Sequence, residues 1–275
     1  MSLKHSLQRH QKMTKPESKQ PLMDPIKAAR SIIEQLDIRS PSEIEVEAIA
    51  ANRKAYVRED VILGAEAKLS RVGNKAFITV SSTTTSLGRK RFSIGHELGH
   101  FELHKNSPVA YCTAADLDDW HSQKRKETEA NQFSAELLMP EPLFRPRCLA
   151  TPGLALLKSL SDDFKTSMTA TAIQYIRFTL EPCALVFCCD GKIRWIKKNR
   201  DFTYYLKGLG EPVDGYSYAY DAFAGRLTSC DEGSVPASAW LKNRKFDSDA
   251  EIKESTQFIP SCNATLSLLW VNEEI

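Results

Sequence analysis

No apolar run in the 275-residue chain approaches the roughly 18 residues that a membrane-spanning helix requires. The N-terminal stretch "MSLKHSLQRHQKMTKPESKQP" is polar and basic and lacks the apolar segment of a secretory signal, so residues 1–23 read as a disordered basic tail. The seven cysteines (Cys112, Cys148, Cys183, Cys188, Cys189, Cys230 and Cys262) are scattered, odd in number and contain no CxxC pair. That spacing excludes a zinc ribbon and argues against a secreted disulfide framework, leaving reduced thiols in a cytoplasmic protein. Neither sign of charge is in marked excess. The formal net charge is +2, too little to mark a dedicated nucleic-acid or membrane binder. Neither an internal repeat nor a low-complexity tract is visible.

What is present is an ordinary globular composition, 42% hydrophobic and 26% charged, over a length that allows a substantial core. Folded structure is expected from about Pro25. Asp24 can cap a helix with Pro25 at its first position, and Ile26, Ala29, Ile33 and Leu36 share one face. "SPSEIEVEAIAANR" fits a second short helix capped by Ser42, with Ile44, Val46 and Ile49 as core. "KAYVRED", "AEAKLSRV" and "KAFITVSS" read as strands, the last two joined by a Gly73-Asn74 turn. "KAFITVS" is a candidate edge strand for an extended substrate, although an internal strand fits the same pattern. Helices follow at about Gly88–His104 and over "KETEANQFSAELLMP", the latter stopped by Pro140. Two more short helices fit residues 154–178. After Pro182 the period returns to two, with a hairpin turned at Asp190-Gly191.

The chemistry concentrates in "GHELGH", Gly95–His100. Histidines four apart share a helix face, so His96 and His100 can aim imidazole nitrogens at one point, as two ligands of a tetrahedral zinc do. Glu97, about 100° round the helix, is placed to act as general base without being a ligand. A helix that merely carries two histidines has the same pattern, so a third ligand decides. His104 continues the series but lies about 12 Å along the helix from His96, too far to share one zinc, and reads as a structural or hydrogen-bonding residue. The second helix offers Glu127, Glu129 and Glu136. Glu127 and Asn131 share a face, which would let a carboxylate bind metal while Asn131 orients a ligand histidine. Glu129 is about 200° round from Glu127, so both cannot face one ion.

"RFSIGHELGHFELH" followed about thirty residues later by "ETEANQFSAELLMP" resembles the ImmA/IrrE family of metallopeptidases, which are zincins of gluzincin type. Ser134 stands where that family usually has alanine, and Gly95 where alanine is common; neither is expected to touch metal. The resemblance implies Zn2+ ligands at His96, His100 and Glu127, Glu97 as base and Asn131 as the partner of a ligand histidine, with Glu129 the alternative ligand. Tyr111 and His121, in the loop between the helices, are candidate oxyanion donors.

The expected fold is α+β. A zincin-like core with a small antiparallel or mixed sheet spans residues 24–145. A helix-turn-helix-like segment spans 146–180, and a small β-rich region of unknown role spans 181–275. The implied activity is zinc-dependent endopeptidase action on a partner protein, in this family often a DNA-binding repressor of a stress or mobile-element response. The alternative is a regulatory protein with a zinc site that acts by protein or DNA binding. Segment 154–178 is poor in Lys and Arg and contains Asp162 and Asp163, which argues against direct nucleic-acid contact.

Overall fold

Eight α-helices and nine β-strands are found among residues 23–104, 111–112, 125–226, 230–242 and 249–271, the residues that the computed structural model describes. The α+β expectation holds, and the tail, apart from Met23, lies outside these residues. No helix among them is long and apolar enough to cross a membrane.

Helix α1 (Pro25–Gln35) begins as its sequence predicts: the Asp24 carboxylate accepts hydrogen bonds from the backbone N–H groups of Ile26 and Lys27 at 2.9 and 3.2 Å. Helix α2 (Val46–Asn52) starts later than expected. Ser42 caps nothing, because Pro41–Glu43 forms a separate 3-10 turn, pinned by the Glu43 carboxylate to Arg39 N and Ser40 Oγ at 2.8 Å each. Ile44, Val46 and Ile49 are nevertheless buried.

Strands β1 (Ala55–Asp60), β2 (Ala67–Val72), β3 (Lys75–Ser81) and β4 (Tyr111–Cys112) form a mixed sheet in the order β1-β3-β2-β4, with β1 and β3 parallel. Strand β3 is therefore internal. The edge-strand reading of "KAFITVS" fails because both its flanks are hydrogen-bonded, and its last four residues are all buried. The β2–β3 turn uses Gly73 at φ +60°.

Helix α3 (Leu87–Leu103) packs on β2 and β3, and α4 (Arg125–Leu138) crosses it. Short α5 (Glu141–Phe144) follows Pro140. Helices α6 (Leu154–Phe164) and α7 (Met168–Phe178) are joined by a tight turn with Lys165 in the left-handed region. Residues Ala170–Ile176 of α7 are all buried.

The second sheet is antiparallel throughout, in the order β6-β5-β9-β8-β7. It comprises β5 (Cys183–Cys189), β6 (Lys192–Lys198), β7 (Cys230–Pro236), β8 (Glu251–Ile259) and β9 (Ala264–Trp270). The β5–β6 hairpin turns at Asp190 and Gly191, both at positive φ, as a type I′ turn demands. Alternate residues of β5 and β9 point to opposite faces. Leu185, Leu266, Leu268 and Trp270 join the core that holds α1, α3 and α4. Ala184, Val186, Cys188 and Leu269 join a second core around Phe202 and Trp240. In that second core the buried Glu254 carboxylate accepts from Tyr218 N, Ala219 N, Trp240 Nε1 and Thr256 Oγ1, fixing the start of α8 (Tyr218–Phe223).

Candidate metal centre

Helices α3 and α4 can approach closely because α3 presents glycine where they cross. A Cβ on Gly95 would stand 2.5 Å from Ser134 Oγ, and one on Gly99 would stand 3.2 Å from the Ala130 Cα. Ser134 uses the space that Gly95 leaves: its hydroxyl donates to the Phe92 carbonyl at 2.8 Å. The two departures from the family pattern are thus one exchange of volume across the interface.

This contact sets His96, His100 and Glu127 facing one another. The two Nε2 atoms are 3.0 Å apart, and each lies 3.2 Å from Glu127 Oε2. Four tetrahedral bonds of 2.0–2.1 Å would separate ligand atoms by roughly 3.3 Å, close to these spacings. His96 and His100 are buried and Glu127 is half-buried.

The surrounding hydrogen bonds fix the tautomers. His96 Nδ1 lies 2.8 Å from Asn131 Oδ1, an oxygen that only accepts, so Nδ1 carries the proton and Nε2 the lone pair. His104 Nε2 lies 2.9 Å from Glu129 Oε2, and His104 Nδ1 lies 2.9 Å from His100 Nδ1. A neutral His104 that donates to Glu129 must accept from His100. His100 then also turns a bare Nε2 inward. Two imidazole lone pairs and a carboxylate oxygen thus converge at about 3 Å, an arrangement that repels unless a cation sits among them. The donor set fits a metal ion.

The electrostatics agree. Burial holds His100 below its ordinary imidazole value, favouring the neutral ligand form. Burial works against ionisation of Glu127, but the facing His100 and His96 rings outweigh it and hold the carboxyl far below the usual range.

Of the other expected residues, Glu97 lies on α3 beside His96 and is completely buried. Glu129 does not join the cluster: it bonds His104 and, at 2.7 Å, Arg125 Nε. Its position on α4, well round the helix from Glu127, explains the separation. Glu136 is tied to Arg30 at 2.9 Å. The side chain of Tyr111 and all of His121 lie outside the described residues.

Sequence reasoning missed Arg71. From β2 its Nη2 donates to the carbonyls of His100, Phe101 and His104 at 2.6, 3.1 and 3.3 Å, and its guanidinium covers the Phe101 ring. It joins the His104 N–H on the His100 carbonyl, bonds two further carbonyls at the end of α3 and so holds the histidine-bearing turn in place. Only a strand-to-helix contact reveals this; its local sequence gives no signal.

Residues 51–174 match the IrrE N-terminal-like domain of the Peptidase M78 family. The chain carries an IrrE N-terminal-like domain. The matched span includes His96, Glu97, His100, Glu127 and Asn131, which supports a metallopeptidase-like protein with a possible metal site at His96, His100 and Glu127. No match is found among curated protein sequences. Among solved structures, a Mycobacterium tuberculosis transcriptional regulator has a similar fold, with a TM-score of 0.56 over 90% of this chain and 87% of its own at 16% identity.

Proposed function

We propose that the IrrE-like domain makes this chain a zinc-dependent endopeptidase, active in the cytoplasm on a peptide bond of a partner protein. The observation that carries the reading is the convergence of two bare Nε2 atoms and the Glu127 carboxylate, with His96 backed by Asn131 and His100 by His104. His96, His100 and Glu127 would hold the ion. When bound, zinc supplies Lewis acidity, which polarises the scissile carbonyl and acidifies water. Glu97 takes the proton of the attacking water and returns it to the leaving amine. Oxyanion stabilisation falls to the loop between α3 and α4, with Tyr111 and His121 as candidate donors; undiminished cleavage by Tyr111→Phe would remove the tyrosine.

The proposed division is a zincin-like core at 24–145, a helix-turn-helix-like segment at 146–180 and a β-rich region at 181–275. The family resemblance favours a transcriptional repressor as substrate. Burial argues against the alternative in which the helix pair reads DNA: with Ala170–Ile176 inside the protein, α7 has too little free surface to enter a groove. Metal analysis provides the test. Wild type should carry one zinc per chain and His100→Ala little. Glu97→Gln should keep the metal and lose proteolysis. A metal-free wild type, or continued cleavage by Glu97→Gln, would sink the assignment.

A further inference from the structure

A cavity of about 310 Å3 lies beside α4, lined by Ile26, Thr128, Asn131, Gln132, Arg177 and Lys197. None of the three cluster residues lines it. It meets the metal centre through Asn131, which bonds His96 at Nδ1, the nitrogen turned away from Glu127. This is a pocket behind the ligand imidazole.

Its lining has one chemical character. Arg177, at the end of α7, and Lys197, on β6, bring two cations from a helix and a strand into one small space. Thr128, Asn131 and Gln132 add a hydroxyl and two amides from successive turns of α4, and among the described residues no carboxylate lines the cavity. Arg177 forms no ion pair among the described residues. It lies over the Phe178 ring and gives Nη1 to Gln174 at 2.7 Å, which leaves further guanidinium donors. Burial, and then the charge of Arg177, pulls Lys197 down to about 8. Two like charges in a half-enclosed space repel each other, and an anion between them reverses the sign of that interaction. The volume is near the lower end of the roughly 300–1,000 Å3 of small-molecule sites.

We propose that this cavity binds a small oxyanion-bearing ligand, a phosphate monoester or a carboxylate, between the Arg177 guanidinium and the Lys197 ammonium. Arg177 supplies a planar fork that suits either oxyanion, Lys197 a point charge, and the α4 hydroxyl and amides orientation. A ligand there would press on Asn131 and hence on His96, away from the face that a peptide substrate meets.

The test is calorimetric titration of wild type stripped of metal by chelator and dialysed, at constant ionic strength, with inorganic phosphate, glycerol 3-phosphate and succinate in turn. Removing metal keeps phosphate from binding at the cluster, so the outcome is independent of the peptidase reading. Saturable 1:1 binding of at least one probe is expected, weakened about tenfold or more by Arg177→Gln and by Lys197→Gln. A preference for glycerol 3-phosphate over succinate would identify the phosphate class, and the reverse the carboxylate class. Thermal melting of each variant verifies that it is folded, and the probe should raise the midpoint of wild type alone. No saturable binding of any probe, or binding indifferent to both substitutions, would overturn the proposal.

Discussion

Gly95→Ala, Ser134→Ala and the double variant test whether one exchanged volume lets α3 and α4 meet at the spacing the metal centre needs. An alanine Cβ at position 95 would stand 2.5 Å from Ser134 Oγ, well inside van der Waals contact. The helices are pushed apart and the hydroxyl swings away from the Phe92 carbonyl it now meets at 2.8 Å. Overpacking costs about 1–3 kcal/mol and the lost hydrogen bond about 0.5–1.5 kcal/mol, against about 1 kcal/mol gained by replacing a helical glycine. The net for Gly95→Ala is a loss of about 2 kcal/mol. Ser134→Ala alone gives up the hydrogen bond, about 1 kcal/mol. In the double variant the hydroxyl clash is gone, a tight 3.3 Å contact with the Cβ of residue 134 remains, and the gain in propensity offsets most of the lost bond, for a loss below about 1 kcal/mol. Urea denaturation of the four proteins should therefore show a favourable coupling of about 2–3 kcal/mol. Single effects that add to within about 0.5 kcal/mol would refute the exchange.

His104→Ala deprives His100 Nδ1 of its acceptor and should weaken zinc binding roughly 10–100-fold in a competition assay with a chromogenic chelator; unchanged affinity would show that the imidazole needs no such support. Arg71→Met keeps much of the apolar stem over Phe101 but loses hydrogen bonds to three carbonyls. It should cost about 1–3 kcal/mol and speed amide exchange in the last turn of α3, and a silent substitution would contradict the capping role. Lys197 gives a pH prediction. Its folded value of about 8 lies below the ordinary 10.5, so between those values the unfolded chain binds the proton more tightly and the fold gains stability as pH rises. The urea midpoint of wild type should rise relative to that of Lys197→Gln from pH 7.5 to pH 10, and parallel curves would mean that Arg177 and burial do not perturb it.

Helical periodicity tied His96 to His100, and Glu127 to Asn131, at fixed spacing, but it left the third ligand open among the glutamates of the second helix, and the choice of Glu127 came from the resemblance to the ImmA/IrrE family. The backing of His100 was half legible. The rise per residue removed His104 from the ligand set, but its bond to His100 depends on side-chain orientation, and Glu129 could be assigned to it only once the α3–α4 crossing was known. Arg71 was invisible because its function arises between a strand and a helix that no local rule connects. For strand β3 the sequence could not separate edge from interior, because a buried strand and an edge strand with one covered face share an apolar alternation. The short turn before α2 misled for another reason: Ser42 fits a cap, but the Pro41 turn and the Glu43 contacts end before the helix begins.

Strands β5 and β9 have a consequence for how the molecule comes apart. Neighbouring residues such as Leu268 and Leu269 serve different interiors, so a slip of one residue would exchange the contents of both. A chain cut after residue 180 would lose one wall of the compartment that encloses the histidine-bearing helices. Melting of one side strips the other of its lining, so the two interiors should unfold in a single transition, and damage on the far side of that sheet should be felt at the histidines.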